Sequence, residues 1–277
     1  MIPADSEVVF GLNWQSLEAS ALFKQYVEPQ MMKGDTLSKL NDFKAKCGFD
    51  PMAELKTMSM GFKNMDGGDP EGVVVVHGVD KSKFWPCIDK YKDQAQADGT
   101  TFTKDGDALI VKKGTDTTAL AFANDTTIVA QVGKTASKDG VLAVVKGASG
   151  LKTSAAFMDM FGKIKTSDTV WMFINGNGKL LDKMAMIGSK PKAVYGSVNV
   201  TDGLAADIRL HMDTPDAASS LATMMKSQTA QVSAMVDKVE VSSEGSEVKF
   251  VLVLSKEKLE ALIKQFGGML GGMGGGM

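Results

Sequence analysis

The chain ends in Phe266-Gly-Gly-Met269-Leu-Gly-Gly-Met273-Gly-Gly-Gly-Met277, three thioethers spaced four residues apart on a glycine backbone. Thioether sulfur is a soft ligand that selects Cu(I), so Met269, Met273 and Met277 form a candidate metal site. The whole sequence carries 19 methionines, about three times the ordinary share. Close pairs occur at Met58/Met60, Met158/Met160 and Met184/Met186. Against the metal stands an ordinary role. Methionine fills irregular cores, and residues two apart on a helix point away from each other. No histidine or cysteine accompanies the tail methionines.

The equipment for other chemistry is sparse. Only His77 and His211 could serve as imidazole bases. His77 ends a valine run where a hydrogen-bonded structural role is usual. His211 lies in Asp207-Ile-Arg209-Leu-His211, an alternation that puts all three polar residues on one solvated strand face. No Gly-x-Ser-x-Gly elbow exists, since Gly147-Ala-Ser149-Gly150 is one residue short. Gly133-Lys134-Thr135 has the end of a phosphate loop, but Ile128 holds the place of its first glycine. Asn175-Gly176-Asn177-Gly178 reads as a plain helix-start turn. The carboxylates Asp105/Asp107 and Asp66/Asp69 fall in turns, where Asp serves the local backbone. Asp66-Gly-Gly-Asp69-Pro-Glu71 lacks the full alternating calcium set. The expectation is a protein that is not an enzyme and needs no cofactor.

Composition narrows the field. The 277 residues carry 31 basic against 33 acidic side chains, with 44% hydrophobic and 23% charged residues. This is ordinary globular usage, not disorder. A net charge of −2, with Arg209 the sole arginine, speaks against a nucleic-acid partner, because phosphate and base readout favour a basic surface rich in arginine. A protein partner remains open through the helix Asp216 to Val236, although its apolar spacing fits packing on a sheet better. No run of about 18 apolar residues offers a membrane span. The opening Met1-Ile2-Pro3-Ala4-Asp5-Ser6-Glu7 has neither a basic nor an apolar leader region, which leaves a cytoplasmic chain or a mature exported one. Cys47 and Cys87 both fall near helix ends, and their spacing leaves a bridge and two buried thiols equally open.

These residues are positioned by a repeating order of elements. Strands are expected at 8–12, 55–62 and 72–78, with helices at 16–26, 38–46 and 81–96, and short strands at 100–103, 108–112, 119–123 and 126–131. The second half follows with strands at 169–174, 193–200, 204–212, 239–243 and 247–254. Its helices are expected at 178–187, 215–236 and 255–266. The fold class is α+β, two similar halves, each an antiparallel sheet covered by helices on one face. The first repeat spans 1–150, a connecting helix lies within 151–167, the second repeat spans 168–266, and a flexible Gly/Met tail occupies 267–277.

The opening Pro-Ala-Asp before a strand, Cys47-Gly-Phe-Asp-Pro51 after a helix, a valine strand ending in Gly78, and Cys87 in the next helix carry a resemblance. The chain resembles an uncharacterised group of secreted proteins and lipoproteins of Gram-negative, myxobacteria-like bacteria. That resemblance implies a location in the periplasm or cell envelope and a Cys47–Cys87 disulfide, and it implies no activity. The expected function is therefore a non-enzymatic extracytoplasmic binding or structural protein, with a lipoprotein as one version of its native form. The alternative is a Met-rich Cu(I)-binding protein.

Overall fold

The computed structural model describes residues 1–65, 69–97, 99–147, 150–182 and 190–271, with the side chains of 93–95, 97, 231 and 266–271 outside the description. Twelve strands form one continuous antiparallel sheet. In chain order, β1 is Val8–Asn13, β2 Thr57–Lys63, β3 Glu71–His77, β4 Thr100–Asp105, β5 Ala108–Lys113 and β6 Asp116–Asn124. They are followed by β7 Thr127–Val132, β8 Val170–Asn175, β9 Ala193–Val200, β10 Leu204–His211, β11 Lys238–Glu244 and β12 Glu247–Leu254. Across the sheet the order is β11-β12-β10-β9-β8-β1-β2-β3-β7-β6-β5-β4. The helices are α1 Trp14–Ala19, α2 Glu28–Met31, α3 Gly34–Cys47, α4 Pro51–Glu54, α5 Lys81–Ala97, α6 Lys138–Lys146, α7 Ala155–Phe161, α8 Pro215–Val232 and α9 Lys256–Gly271. No helix among the described residues is long and apolar enough to cross a membrane.

The expected halves meet at the centre, where β1 pairs with β8, so the strands build one sheet and not two. Cross-strand register assigns the faces, because directly opposed residues lie on the same side. The front face carries the row Val73, Gly61, Val9, Phe173, Tyr195, Arg209. The back face carries Val74, Met60, Phe10 and Met172, and the parallel row Val194, Leu210, Val248.

Helices cover both faces, contrary to the one-sided expectation. On the front, α6 packs Val141 against Val73, Ala119 and Val129, and α7 packs Phe157 against Val9 and Phe173. On the back, α8 sets Ala218 and Ala222 against Leu210, Val241 and Val248. Phe84 and Trp85 of α5 meet Phe122 there as well. A sheet this wide has more apolar area than one layer of short helices can bury, and the strands with apolar residues on both sides demand cover on both. The front of β10 and β12 is the exception, and there the charged residues stand, next to Ala193 and Tyr195 of β9, which lie buried with Phe157.

Local signals behave as their chemistry dictates. Asn13 accepts from the Ser16 amide at 3.1 Å and Asp80 from that of Ser82 at 2.8 Å, starting α1 and α5. Gly48 ends α3 with a φ of 76°, which costs glycine little. The expected 16–26 helix breaks at Ser20, where the extended backbone ends α1 and a π-turn over Phe23–Val27 follows. The closing helix runs to Gly271 instead of stopping at Phe266. Each added helical residue brings one hydrogen bond once the helix is nucleated, so Gly267 and Gly268 weaken it without ending it.

Candidate functional site

Two features share the front face on either side of α7: a charged array on β9, β10 and β12, and an apolar cavity at the sheet centre. The array starts from the alternation Asp207-Ile-Arg209-Leu-His211, whose polar residues do share one face. Opposite Arg209 stand Tyr195 and Lys249, and opposite His211 stands Glu247. Glu247 is the hub. Tyr195 donates its hydroxyl to Glu247 Oε1, Lys163 Nζ donates to the same oxygen at 2.8 Å, and Arg209 Nη1 reaches Oε2 at 3.5 Å. His211 Nδ1 lies 3.9 Å from Oε1, and Lys249 Nζ lies 3.2 Å from Asp207 Oδ2. Lys163 comes from the segment just after α7, which brings that helix end down onto the strands. The sole arginine of the chain is therefore committed to a carboxylate on a partly buried strand face, where its fork and fixed charge serve better than lysine.

Electrostatics hold this array in one state. Burial opposes ionisation of Glu247, yet the hydrogen bonds from Lys163 and Tyr195 and the charges of Lys163 and Arg209 keep its carboxyl below the usual glutamate range. Burial first, then the bond to Glu247 and its charge, push the fully buried Tyr195 phenol well above its usual value. The two groups are displaced from neutrality in opposite directions, so neither is poised for proton transfer near pH 7. Among the described residues, the buried side-chain polar atoms without a hydrogen bond are Asp207 Oδ1, Arg209 Nε and His211 Nδ1, all on β10.

The cavity lies at the other side of α7. Ser154 caps that helix by accepting from the Phe157 amide at 3.3 Å, and Phe157 stacks on Phe161 and meets Phe173 edge-on. Trp171 lies across Gly11, its cross-strand partner; a Cβ at Gly11 would fall 2.0 Å from the indole. Ile2 sits over Gly61 in the same way, and the Leu151 amide donates to the Ile2 carbonyl at 2.8 Å. Met1, Ile2, Val9, Leu151, Phe157, Phe161 and Trp171, with Ser59 of β2 and Lys152, line an open-sided cavity of about 140 Å³.

A scan against known protein families finds no matching family, and a comparison with curated proteins finds no match. Solved structures do match. The chain has the fold of TP0453. Crystal form III of TP0453 superposes with a TM-score of 0.57 at 11% identity, covering 95% of this chain and 96% of that one. Form I gives 0.55 at 12% identity over 95% and 94%, and form IV gives 0.51 at 10% over 94% and 96%. At such identity TP0453 informs the architecture and no side chain.

The remaining sequence candidates separate clearly. Cys47 and Cys87 are joined in a disulfide that ties α3 to α5. Met273 and Met277 lie outside the described residues, as does the side chain of Met269. Among the described residues no cluster of three or more His, Cys, Asp or Glu could hold a metal. Met58 and Met60 share the back face of β2, whereas on α7 Met160 packs inward and Met158 is exposed. His77 pairs with Thr127 Oγ1 at 2.9 Å inside the sheet. Lys134 bonds to Asp69 and Thr135 to Glu71, so that segment is a turn pinned to β3. Asn177 donates its amide to Asn175 Oδ1 at 3.0 Å, closing a side-chain turn. Asp105 binds Lys138. The carboxylates around Asp66 and the run at Ser149 include residues outside the description, as does most of the expected 178–187 helix with Met184 and Met186.

Two parts of the site had no place in the sequence reading. Lys163 and Glu247 come from distant segments and meet only through the sheet. The cavity depends on Gly11, whose small size signalled nothing until Trp171 was found against it.

Proposed function

We propose that this chain is a non-catalytic binding protein of the extracytoplasmic space that takes a small apolar group into the cavity beneath α7. The cavity itself carries this reading. Its apolar lining and volume of about 140 Å³ match the roughly 150 Å³ void that accepts benzene in other proteins. Lys152 in the lining supplies a positive charge that favours a ligand with an anionic end. Support for an oxidising compartment comes from the Cys47–Cys87 bridge, since such bridges persist outside the cytosol.

Titration with phenylacetate tests the binding. The indole emission of Trp171 is expected to change saturably, and Trp171→Phe removes the signal. Ser59→Leu, which fills the cavity from the sheet side, abolishes binding. A flat titration of the unmodified protein, or one unaltered by Ser59→Leu, overturns the reading. Non-reducing mass spectrometry of protein taken from its own cells tests the compartment, and two free thiols would count against it.

We further infer that the halves arose by duplication. The runs β1-β2-β3-β7 and β8-β9-β10-β12 extend in opposite directions from the central pair, with α5 leaving β3 where α8 leaves β10. The β4–β5 hairpin is then an addition to the first half.

A further inference from the structure

We propose that β11 is a pairing edge for a second copy of this chain, joining two sheets about a two-fold axis through Val241. β11 is a terminal strand, with β12 as its one neighbour. The turn between them holds two residues, Gly245 and Ser246, so the closing pair Glu244–Glu247 is hydrogen-bonded and bonded pairs alternate from there. Lys238, Glu240, Ser242 and Glu244 thus direct their backbone groups at β12. Val239, Val241 and Ser243 direct theirs outward, and among the described residues no hydrogen bond reaches them.

An antiparallel copy centred on Val241 satisfies all of these groups. Val241 then opposes Val241 of the copy and Val239 opposes Ser243, both as bonded pairs. The front-face side chains fall into the closer, non-bonded pairs. Lys238 meets Glu244 and Glu240 meets Ser242, and symmetry repeats each contact. Every front-face pair in this register is therefore complementary, with no like charges opposed. Lys238 and Glu244 are exposed at the edge; Lys238 Nζ lies 3.0 Å from Glu240 Oε2 of its own strand, a surface pair that it exchanges for Glu244 of the copy. On the back, α8 already covers Val241, which keeps that side of the seam apolar.

The opposite edge lacks this pattern. In β4 the same reasoning turns Thr100, Phe102 and Lys104 outward, and centring a copy on Phe102 places Lys104 against Thr100. The complementarity at β11 selects an isologous contact, which closes as a dimer and does not propagate.

Sedimentation equilibrium of the full chain, from micromolar to several hundred micromolar, tests this. The mass is expected to rise from 29.4 kDa to twice that value. Lys238→Glu and Glu244→Lys each oppose like charges across the seam and weaken the dimer by about tenfold or more. Mixed in equal amounts, the two variants restore it, because each then presents the charge that the other lacks. Ser243→Pro removes an outward donor while sparing the β12 ladder, and it also yields monomer. A monomer at every concentration overturns the proposal. So does a dimer that persists in the separate charge variants, or a mixture that stays monomeric.

Discussion

The disulfide offers a test of what holds α3 against α5. Cys47 ends α3, Cys87 lies within α5, and the bridge closes a loop of 40 residues. Replacing both cysteines with serine releases that loop in the unfolded chain. On the chain-entropy treatment this costs about 4 kcal/mol of stability. With an unfolding entropy of roughly 2.1 cal/mol/K per residue, the midpoint temperature falls by about 7 °C. Helix α3 buries no side chain fully. Among the described residues its ties to α5 besides the bridge include the Phe43–Tyr91 stack at 5.9 Å, the Lys46 ammonium 5.0 Å from the Tyr91 ring centroid, the Tyr91–Asp42 hydrogen bond and the Lys90 bond to the Lys46 carbonyl. The effect is therefore expected to be local as well as global. Urea unfolding should show a lower midpoint with a steeper slope, as the unlinked unfolded chain exposes more surface. Hydrogen exchange should show the amides of residues 39–47 losing protection before those of β2 and β3. A loss under about 1 kcal/mol, with α3 as protected as before, would refute the reasoning. It would mean that the remaining contacts with α5 hold the helix without the bridge.

Two further outcomes follow from the front face. The carboxyl of Glu247 has a depressed folded value, so its stabilisation is present above the ordinary 4.5 and is lost as pH falls through the lower folded value. Glu247→Gln should therefore be least stable relative to the parent near neutrality, with the gap in urea midpoint closing in acid; a pH-independent gap would contradict the assignment. Gly11→Ala drives a methyl group into the Trp171 indole, and overpacking of this kind costs about 1–3 kcal/mol. Thermal unfolding measures it, and an unchanged midpoint would show that the indole can leave its place freely.

Much of the sheet was legible because strand signals here are strong and local. The valine run at 73–76, the two-residue turns at Gly106 and Gly245, and the alternation at 204–211 each specify a strand without reference to the rest. The same alternation puts Arg209 and His211 on one polar face, but that face is partly buried instead of solvated. The helix α6 was missed, although Ser137 caps it and Val141, Leu142, Val144 and Val145 give it an apolar side. In nine residues that run resembles a buried strand as much as a helix. Helical cover on both faces could not be read at all, since periodicity tells which residues are buried and not beneath which layer. The Glu247 hub was hidden by distance: Lys163 lies 84 residues from Glu247, and Tyr195 lies 52 from it. Burial of Tyr195 is the one clue that the sequence could have offered, since its hydroxyl must find a partner when enclosed.

The central pairing of β1 with β8 also sets an order of events in time. Gly11 and Trp171 are cross-strand neighbours 160 positions apart, and no local contact brings their strands together. During synthesis the first seven strands can form a sheet by hairpins and two longer pairings, β1 with β2 and β3 with β7, while β8 is still unmade. For that interval β1 is an unprotected border, with Val9 and Phe10 open to any passing strand. Closure of so long a loop is slow. The slowest step in maturation is then expected at the middle of the finished sheet rather than at its rims, and a chaperone that shields β1 would act on the one strand that looks safest in the native state.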